Sequence, residues 1–369
     1  MTSGWFSRPL ALALLAAADL ALAQAQPPAL QWSGFATLTA GRAFGHAPAD
    51  FASCSDVCYV ADWSQGGFYR PRWQLQPESR AGVQATLVMT PALRATAQAT
   101  LRANDARAQL ELAFVSYTFG NWDLHLGRKR IPLYFYSDFQ DIGIAYPWVS
   151  PPPDMYGWEA TNYNGVSLRY RGSVGDMGVS ASAFTGSEHL RDAPLYQLYE
   201  NRPVDIDWTR MWGGDLELNQ NWWTLRLAYT QNHIREHYSQ DNTTYAMRMK
   251  AYSVAFNADF GNWFALSELG ENARQFVDGL DTHYKALSVS AALGMRLGRW
   301  TPVLTVSRFH EHDASADYAA DRWNTYGVTL RHDLTPLQAV KLQFNRTDDT
   351  QGHFSRNTSV LRLSYDVQF

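Results

Sequence analysis

Past the segment that ends near Leu22, the chain has no apolar run long enough to form a membrane-crossing helix. A membrane location would therefore demand a closed β-barrel, the other structure that satisfies every backbone polar group in lipid. Charge is scarce as well. Only 18% of residues are Asp, Glu, Lys or Arg, the net charge is −4, and the basic residues are scattered singly. Nucleic acid finds no basic patch there. No Ser/Gly linker, charge block or low-complexity run divides the 369 residues. There is no Walker motif, no dinucleotide fingerprint and no Gly-x-Ser-x-Gly turn, so neither a cofactor nor a catalytic residue is expected.

Cysteine is nearly absent. The two present, Cys54 and Cys58, lie in one short segment. Haem attachment would want His after the second Cys, where Tyr59 stands, and metal binding would need ligands that the neighbourhood lacks. An exported chain crosses an oxidising compartment, so a local loop disulfide is the preferred reading, constraining the unfolded chain only a little.

Export itself is read from the N-terminus. Arg8 gives a positive start and Pro9 to Leu22 an Ala/Leu-rich run interrupted by Asp19. Ala21-Leu22-Ala23 and Ala23-Gln24-Ala25 offer small-x-small cleavage positions. The expected division is a signal peptide over 1–23, with cleavage at 25 as the alternative, and one β-barrel domain over 24–369.

Aromatics make up 14% of the chain, and they are ordered by alternation. In Leu93 to Ala103 one parity carries Leu93, Ala95, Ala97, Ala99 and Leu101, and the other Arg94, Thr96, Gln98, Thr100 and Arg102. A period of two puts these sets on opposite faces of a strand. The same pattern recurs at Leu225/Leu227/Tyr229 against Thr224/Arg226, at Leu287 to Met295, and at Val340/Leu342/Phe344 against Lys341/Gln343. A soluble sandwich would also alternate; the turns separate the two cases. Phe119-Gly-Asn-Trp122, Asn219-Gln-Asn-Trp222, Phe260-Gly-Asn-Trp263 and Leu297-Gly-Arg-Trp300 are tight turns flanked by apolar residues. Long polar connections lie between them. Short turns at one end and long loops at the other predict an outer-membrane barrel. Trp122, Trp222, Trp263 and Trp300 would form its periplasmic aromatic girdle.

This spacing predicts an all-β fold, a transmembrane antiparallel barrel of sixteen strands, near 31–44, 79–90, 93–103, 109–119, 122–131, 163–172, 177–186, 209–219, 222–234, 247–260, 262–274, 283–297, 300–311, 322–333, 338–347 and 356–369. In the fourth strand Leu110, Leu112 and Phe114 are out of phase with Val115, Tyr117 and Phe119, which suggests a bulge or a protein-covered face. Arg128 and Arg130 break phase in the fifth and are expected beyond the bilayer edge. The last strand alternates Leu361, Leu363, Tyr365 and Val367 up to a terminal Phe369, resembling the signal that the barrel assembly machinery reads on outer-membrane proteins.

The chain as a whole resembles the sixteen-stranded Gram-negative porins, and among them a proteobacterial porin-like group. The likeness is sharpest in Gly127-Arg-Lys-Arg-Ile-Pro-Leu-Tyr-Phe-Tyr-Ser-Asp138 and in Ile144-Ala-Tyr-Pro-Trp148 with Pro151-Pro152-Pro153. The resemblance implies a water-filled channel in the outer membrane for passive diffusion of small hydrophilic solutes. It also implies a third long loop, Pro132 to Asn162, folded into the lumen as a constriction carrying Tyr134, Tyr136, Asp138, Asp141, Tyr146 and Trp148. The acidic signature of that loop in general porins is absent here; the segment is rich in aromatics and Pro.

If the apolar faces meet lipid, Arg80, Arg94, Arg102, Lys129, Arg169, Arg171 and Arg226 line the pore, with Asp123, Asp215, Glu217, Asp259 and Asp366 as the fewer acids. Asp138 and Asp141 would face the basic wall across the constriction. Two readings follow: a transverse field with an anion preference, or a polar lumen whose charges pair internally. The small-residue face Ala81, Ala85, Ala95, Ala97 and Ala99 suits close packing against protein. Porins trimerise through this part of the barrel, which implies a homotrimer. Two other functions stay open: a barrel serving polymer export or an electron-transfer partner, and a loop-borne hydrolase. For the latter, His310-Glu-His-Asp313 places His310 and His312 on one face, but no second element offers ligand spacing, so no metal is expected.

Overall fold

A computed structural model describes residues 28–45, 52–277, 282–316, 320–349 and 357–369. The expected signal peptide and both cleavage positions lie outside the described residues. Sixteen strands close into one antiparallel barrel. The first is β1 (Ala29–Phe44); two short strands of its loop, β2 (Tyr59–Asp62) and β3 (Gly67–Tyr69), pair with each other. The wall continues as β4 (Arg80–Val88), β5 (Leu93–Arg102), β6 (Asp105–Phe119), β7 (Trp122–Arg130), β8 (Asn162–Val174), β9 (Met177–Leu190) and β10 (Val204–Gln220). It is completed by β11 (Trp223–Tyr238), β12 (Thr243–Asp259), β13 (Trp263–Phe276), β14 (His283–Met295), β15 (Trp300–His312), β16 (Arg322–Thr335), β17 (Gln338–Asp349) and β18 (Thr358–Gln368). Each pairs with its sequence neighbour, and β1 closes on β18 from Phe35↔Gln368 to Phe44↔Ser359. At the seam the Gly34 amide donates to the Phe369 carbonyl at 2.7 Å and the Phe369 amide to Gly34 at 2.9 Å.

Alternation sorts the wall as expected. Leu38, Val83, Leu101, Leu126, Leu304, Val306, Val328, Leu342 and Leu363 are exposed outward, a lipid-facing band. At the short-turn end Trp122, Trp222, Trp263 and Trp300 are exposed too. The turns use left-handed backbone at Gly120, Asn221, Gly261 and Gly298, which Gly and Asn adopt most readily.

The phase break in β6 is a bulge. Gln98 pairs with Leu112 and Ala99 with Leu110, which leaves Glu111 as the extra residue. Past it Phe114 faces the lumen side, edge-on to His125 at 5.4 Å. The loop end departs from expectation. The connection from β5 to β6 is only Ala103-Asn104, because β6 begins pairing at once, Arg102 against Asp105. The long connections are 45–79, 131–161 and 191–203. Elsewhere the chain is spent in tall strands: β10 and β12 have 17 residues each, well above the nine to eleven or so that span a bilayer.

The barrel's buried apolar cluster is inside it. Trp208, Met211, Ile234, Met247 and Met249 on β10–β12 pack against Ile131, Leu133, Tyr134, Met155 and Trp158 of the third long connection. Polar residues were expected to line the lumen; this sector is apolar because the loop leans on it and excludes water.

Candidate functional site

The luminal loop 131–161 leaves β7, crosses to β11–β13, returns to β4–β7, runs along β15–β18 and rejoins the wall at β8. Each leg is tied by inward side chains. On the first leg Arg226 donates to the Pro132 and Phe135 carbonyls, both at 3.3 Å, and Glu268 accepts the Phe135 amide at 2.8 Å. The Tyr156 hydroxyl donates to the same Glu268 at 2.7 Å.

The turn-back is an ion cluster. Arg102 donates to Asp141 at 2.7 Å and to Glu111 at 2.6 Å. Arg130 binds Asp141 directly and lies 3.0 Å from Glu111. Arg80 donates to the Asp141 carbonyl at 2.8 Å and to the Tyr146 hydroxyl at 2.6 Å. Burial alone would raise the Asp141 carboxyl; Arg102, Arg130 and Arg80 outweigh it and hold the group well below the usual carboxylate range.

Along the far wall Lys341, fully buried, lies 3.1 Å from Asp366. It also donates to the Gly143 and Trp148 carbonyls at 2.6 Å each. Arg331 donates to the Ile144 carbonyl at 2.9 Å and to that of Tyr146 at 3.0 Å. Trp148 Nε1 donates to Thr305 at 2.7 Å, and the Val149 amide to Gln343 at 2.7 Å. The descent ends on Asp154, which accepts from Ser307 and, at 2.9 Å, from Trp323 Nε1. Past it Glu159 takes Arg274 Nη2 on both oxygens at 2.8 Å.

Between these ties lies an aromatic layer. Tyr136 packs edge-on against Phe139 and Trp148, both with ring centroids 5.6 Å away. Tyr134 meets Tyr156 at 5.2 Å. The layer separates two cavities. One, of about 560 Å³, opens toward the short turns between Tyr136, Tyr146, Trp223 and Arg296. The other, of about 330 Å³, opens toward the loops between Trp63, Trp158, Tyr199 and Trp323. Near it a disulfide joins Cys54 and Cys58, both buried with Trp63 and Trp323.

A family model for Gram-negative porins matches residues 10–352. The chain belongs to that family. No curated protein matches it in sequence, whereas solved porin structures match over nearly the whole fold. The anion-selective porin of Comamonas acidovorans shares 12% identity at a TM-score of 0.59, covering 93% of this chain and 100% of that one. OmpT expressed in the outer membrane of Vibrio cholerae shares 10% at 0.59, covering 94% and 99%. The outer-membrane channel DcaP of Acinetobacter baumannii shares 11% at 0.53, covering 93% and 97%. The porin is an outer-membrane channel protein, and family and fold point away from an enzyme.

Several anticipated site residues of the porin take other positions. Arg80, Arg102 and Arg226 do not line a water path; they are buried and hold the loop, since a polar loop backbone inside a barrel needs donors. Asp141 does not face the basic wall across water but joins it. Arg130 is 4% exposed, inside the same cluster; Arg128 binds Glu188. Left toward the lumen are Arg94, Lys129, Arg169 and Arg171, with Asp138 3.5 Å from Arg169. Arg171 pairs with Asp123. Among the described residues Arg94 and Lys129 have no carboxylate in ion-pair reach, and the Lys129 ammonium sits 5.5 Å over the Phe114 ring.

His310 and His312 share the outer face with ring centroids 5.5 Å apart, and each has its own charged neighbour. His310 lies 2.6 Å from Arg322, and His312 lies 3.4 Å from Glu271. No three His, Cys, Asp or Glu groups gather as a metal site among the described residues. Glu111 and Glu78 went unread in the sequence. A carboxylate at a phase break was the available signal for Glu111; Glu78, in a loop, gave none, yet it pairs with Arg362 at 2.8 Å.

Proposed function

We propose that the porin passes small hydrophilic solutes down their gradients, with a preference for anions, and that loop 131–161 is its constriction. The observation that carries the preference is the imbalance of pairing. The luminal carboxylates Asp123, Asp138, Asp141 and Asp215 each face an Arg. Among the described residues Arg94 and Lys129 have no carboxylate within ion-pair distance, against Glu217 as the inward acid of β10 that likewise has no ion pair. Lys129 meets Asp138, Asp215 and Asp123 only at longer range. An unpaired cation beside a narrowed path raises local anion concentration and sets a barrier to cations. The Comamonas relative described as anion-selective agrees with this reading. Reversal potentials of planar bilayers in a KCl gradient test it; a clear cation preference would sink the anion assignment.

The same proposal includes a homotrimer built on the small-residue face of β4 and β5, where Ala85 pairs with Ala97 and Val83 with Ala99. OmpT of Vibrio cholerae is described in a trimer form. Residues 1–23 serve as the signal peptide, the exposed turn-end Trp residues as the interfacial girdle, and Phe369 as the mark read by the assembly machinery.

A further inference from the structure

Outward-facing cations gather on the tall strands, away from the small-residue face. A cleft of about 800 Å³ on the wall of β10–β14 is lined by Arg210, His233, Arg248, Lys250, His283 and Lys285. Cross-strand pairing gives these cations no acidic partner: Arg248 lies between His233 and Gln275, and Lys250 between Gln231 and Ala273. Like charges gathered on one face of a sheet repel one another unless an anion joins them. Among the described residues Arg210, Arg248 and Lys250 form no ion pair, and the nearby carboxylates already have other partners, one of them Lys285 of the cleft itself. Asp313 holds Lys285 at 2.6 Å, and Glu271 lies 3.4 Å from His312.

Backbone geometry adds a second observation. The pairing of β10 shifts between Thr209 and Trp212, and within this bulge Arg210 adopts φ 50°. Left-handed backbone at a long cationic residue costs energy, and bulges re-aim side chains next to functional surfaces.

Height on the wall indicates the occupant. Immediately below the cleft, Trp212 and Tyr229 meet at 5.4 Å, and Tyr252 lies opposite Tyr229, two residues from Lys250. Below them run Leu227, Val254 and Phe256, all exposed to lipid. Trp and Tyr mark the membrane interface. The cations therefore lie at head-group level, at the loop end of the barrel. We infer that this cleft binds the phosphate groups of a phosphorylated glycolipid in the outer leaflet, its acyl chains lying along the apolar wall beneath. Basic pockets at this level recognise phosphorylated head groups through charge-assisted bonds that a neutral lipid cannot make.

The test uses the detergent-folded full barrel and native mass spectrometry of retained lipid. The probes are bisphosphorylated lipid A, the same lipid dephosphorylated, and inorganic pyrophosphate. The wild-type barrel should retain bisphosphorylated lipid about tenfold or more better than the dephosphorylated form. The variant R210Q/R248Q/K250Q, with folding checked by heat-modifiable gel mobility, should lose that discrimination. Single K250Q should lose part of it, and it serves if the triple variant does not fold. Equal retention of the two lipids by the wild type overturns the inference. Full displacement by pyrophosphate as tight-binding as the lipid would also overturn it, because the cleft would then be a free-anion site.

Discussion

Asp141, at the turn-back of the luminal loop, sits 2.7 Å from the guanidinium of Arg102 on β5. This contact fixes where the loop stands, because Arg102 is itself held by Glu111, the extra residue of the β6 bulge. A register irregularity in the wall thus supplies the carboxylate that balances the cluster. Replacing Asp141 with Asn would leave Arg130 and Arg102 sharing one acid in a buried site, at a cost of about 3–5 kcal/mol. The expected outcome is a folded barrel with a loosened loop: new proteolytic cuts within 131–161 and noisier single-channel current. Unchanged noise and protection would count against the anchoring role.

The pH dependence of that anchor follows from its sign. The Asp141 carboxyl is depressed by its three Arg neighbours. Its contribution is fully present above the unfolded value of roughly 4 and fades as pH falls through the lower folded value. The loop should stay quiet at pH 5 and open only in stronger acid. Current noise recorded from pH 7 down to pH 3 checks this; a transition between pH 6 and pH 5 that Asp141→Asn abolishes would contradict it.

Selectivity should respond to the unpaired cations. Lys129→Glu replaces an unpaired luminal cation with a carboxylate and so reverses the local imbalance. The anion-to-cation permeability ratio should drop several-fold, on the order expected when one fixed charge at a constriction changes sign. Arg102→Gln, by contrast, should act on loop stability more than on reversal potential. Equal shifts from the two variants would remove the distinction drawn between lining and anchoring cations.

The sixteen strands were legible because lipid and water sort residues with period two, and because Gly/Asn turns followed by Trp punctuate that period. Leu110 to Phe114 betrayed their bulge through phase alone. The lumen was less legible. Alternation tells that Arg80, Arg102 and Arg226 point inward, but not whether they meet water or a folded loop. That depends on where residues 131–161 travel, and their contacts reach partners as distant in sequence as Lys341 and Thr305. The apolar inner face at Met247 and Met249 was not legible for the same reason: its cover comes from another part of the chain. The short β5–β6 turn was hidden because Asp105 to Gln109 carries Asp, Arg and Gln yet belongs to the strand, its pairing broken by a register shift.

Oligomer contacts can be separated from folding. Ala97 and Ala99 on β5 face outward and pair with Ala85 and Val83. Ala97→Lys would bury an uncompensated charge in a protein–protein interface but could snorkel in a monomer facing lipid. Unboiled gels should show loss of the high-mass band, while heat-modifiable mobility of the monomer persists. Retention of that band would move the interface elsewhere on the wall.

Two glycines distinguish backbone necessity from mere turn preference. Gly127, in β7, has φ 131°, and a Cβ built on it would lie 2.2 Å from the Ala113 carbonyl oxygen and 2.8 Å from the Phe114 Cα. Both are backbone atoms of the neighbouring strand, so nothing flexible can yield; the ladder itself would have to part just where β6 recovers from its bulge. Gly120, at the β6–β7 turn, has φ 57° and nothing within 4 Å of the added Cβ. Gly127→Ala should cost about 3 kcal/mol or more, combining a forbidden backbone region with a backbone clash. Gly120→Asn should cost about 1 kcal/mol or less, since Asn tolerates the left-handed region. Urea midpoints of the refolded barrel would order them: Gly127→Ala far below wild type, Gly120→Asn close to it. Similar midpoints for the two would mean that β7 can slide its register, and the motif around Lys129 and Arg130 would then no longer be pinned by its glycine.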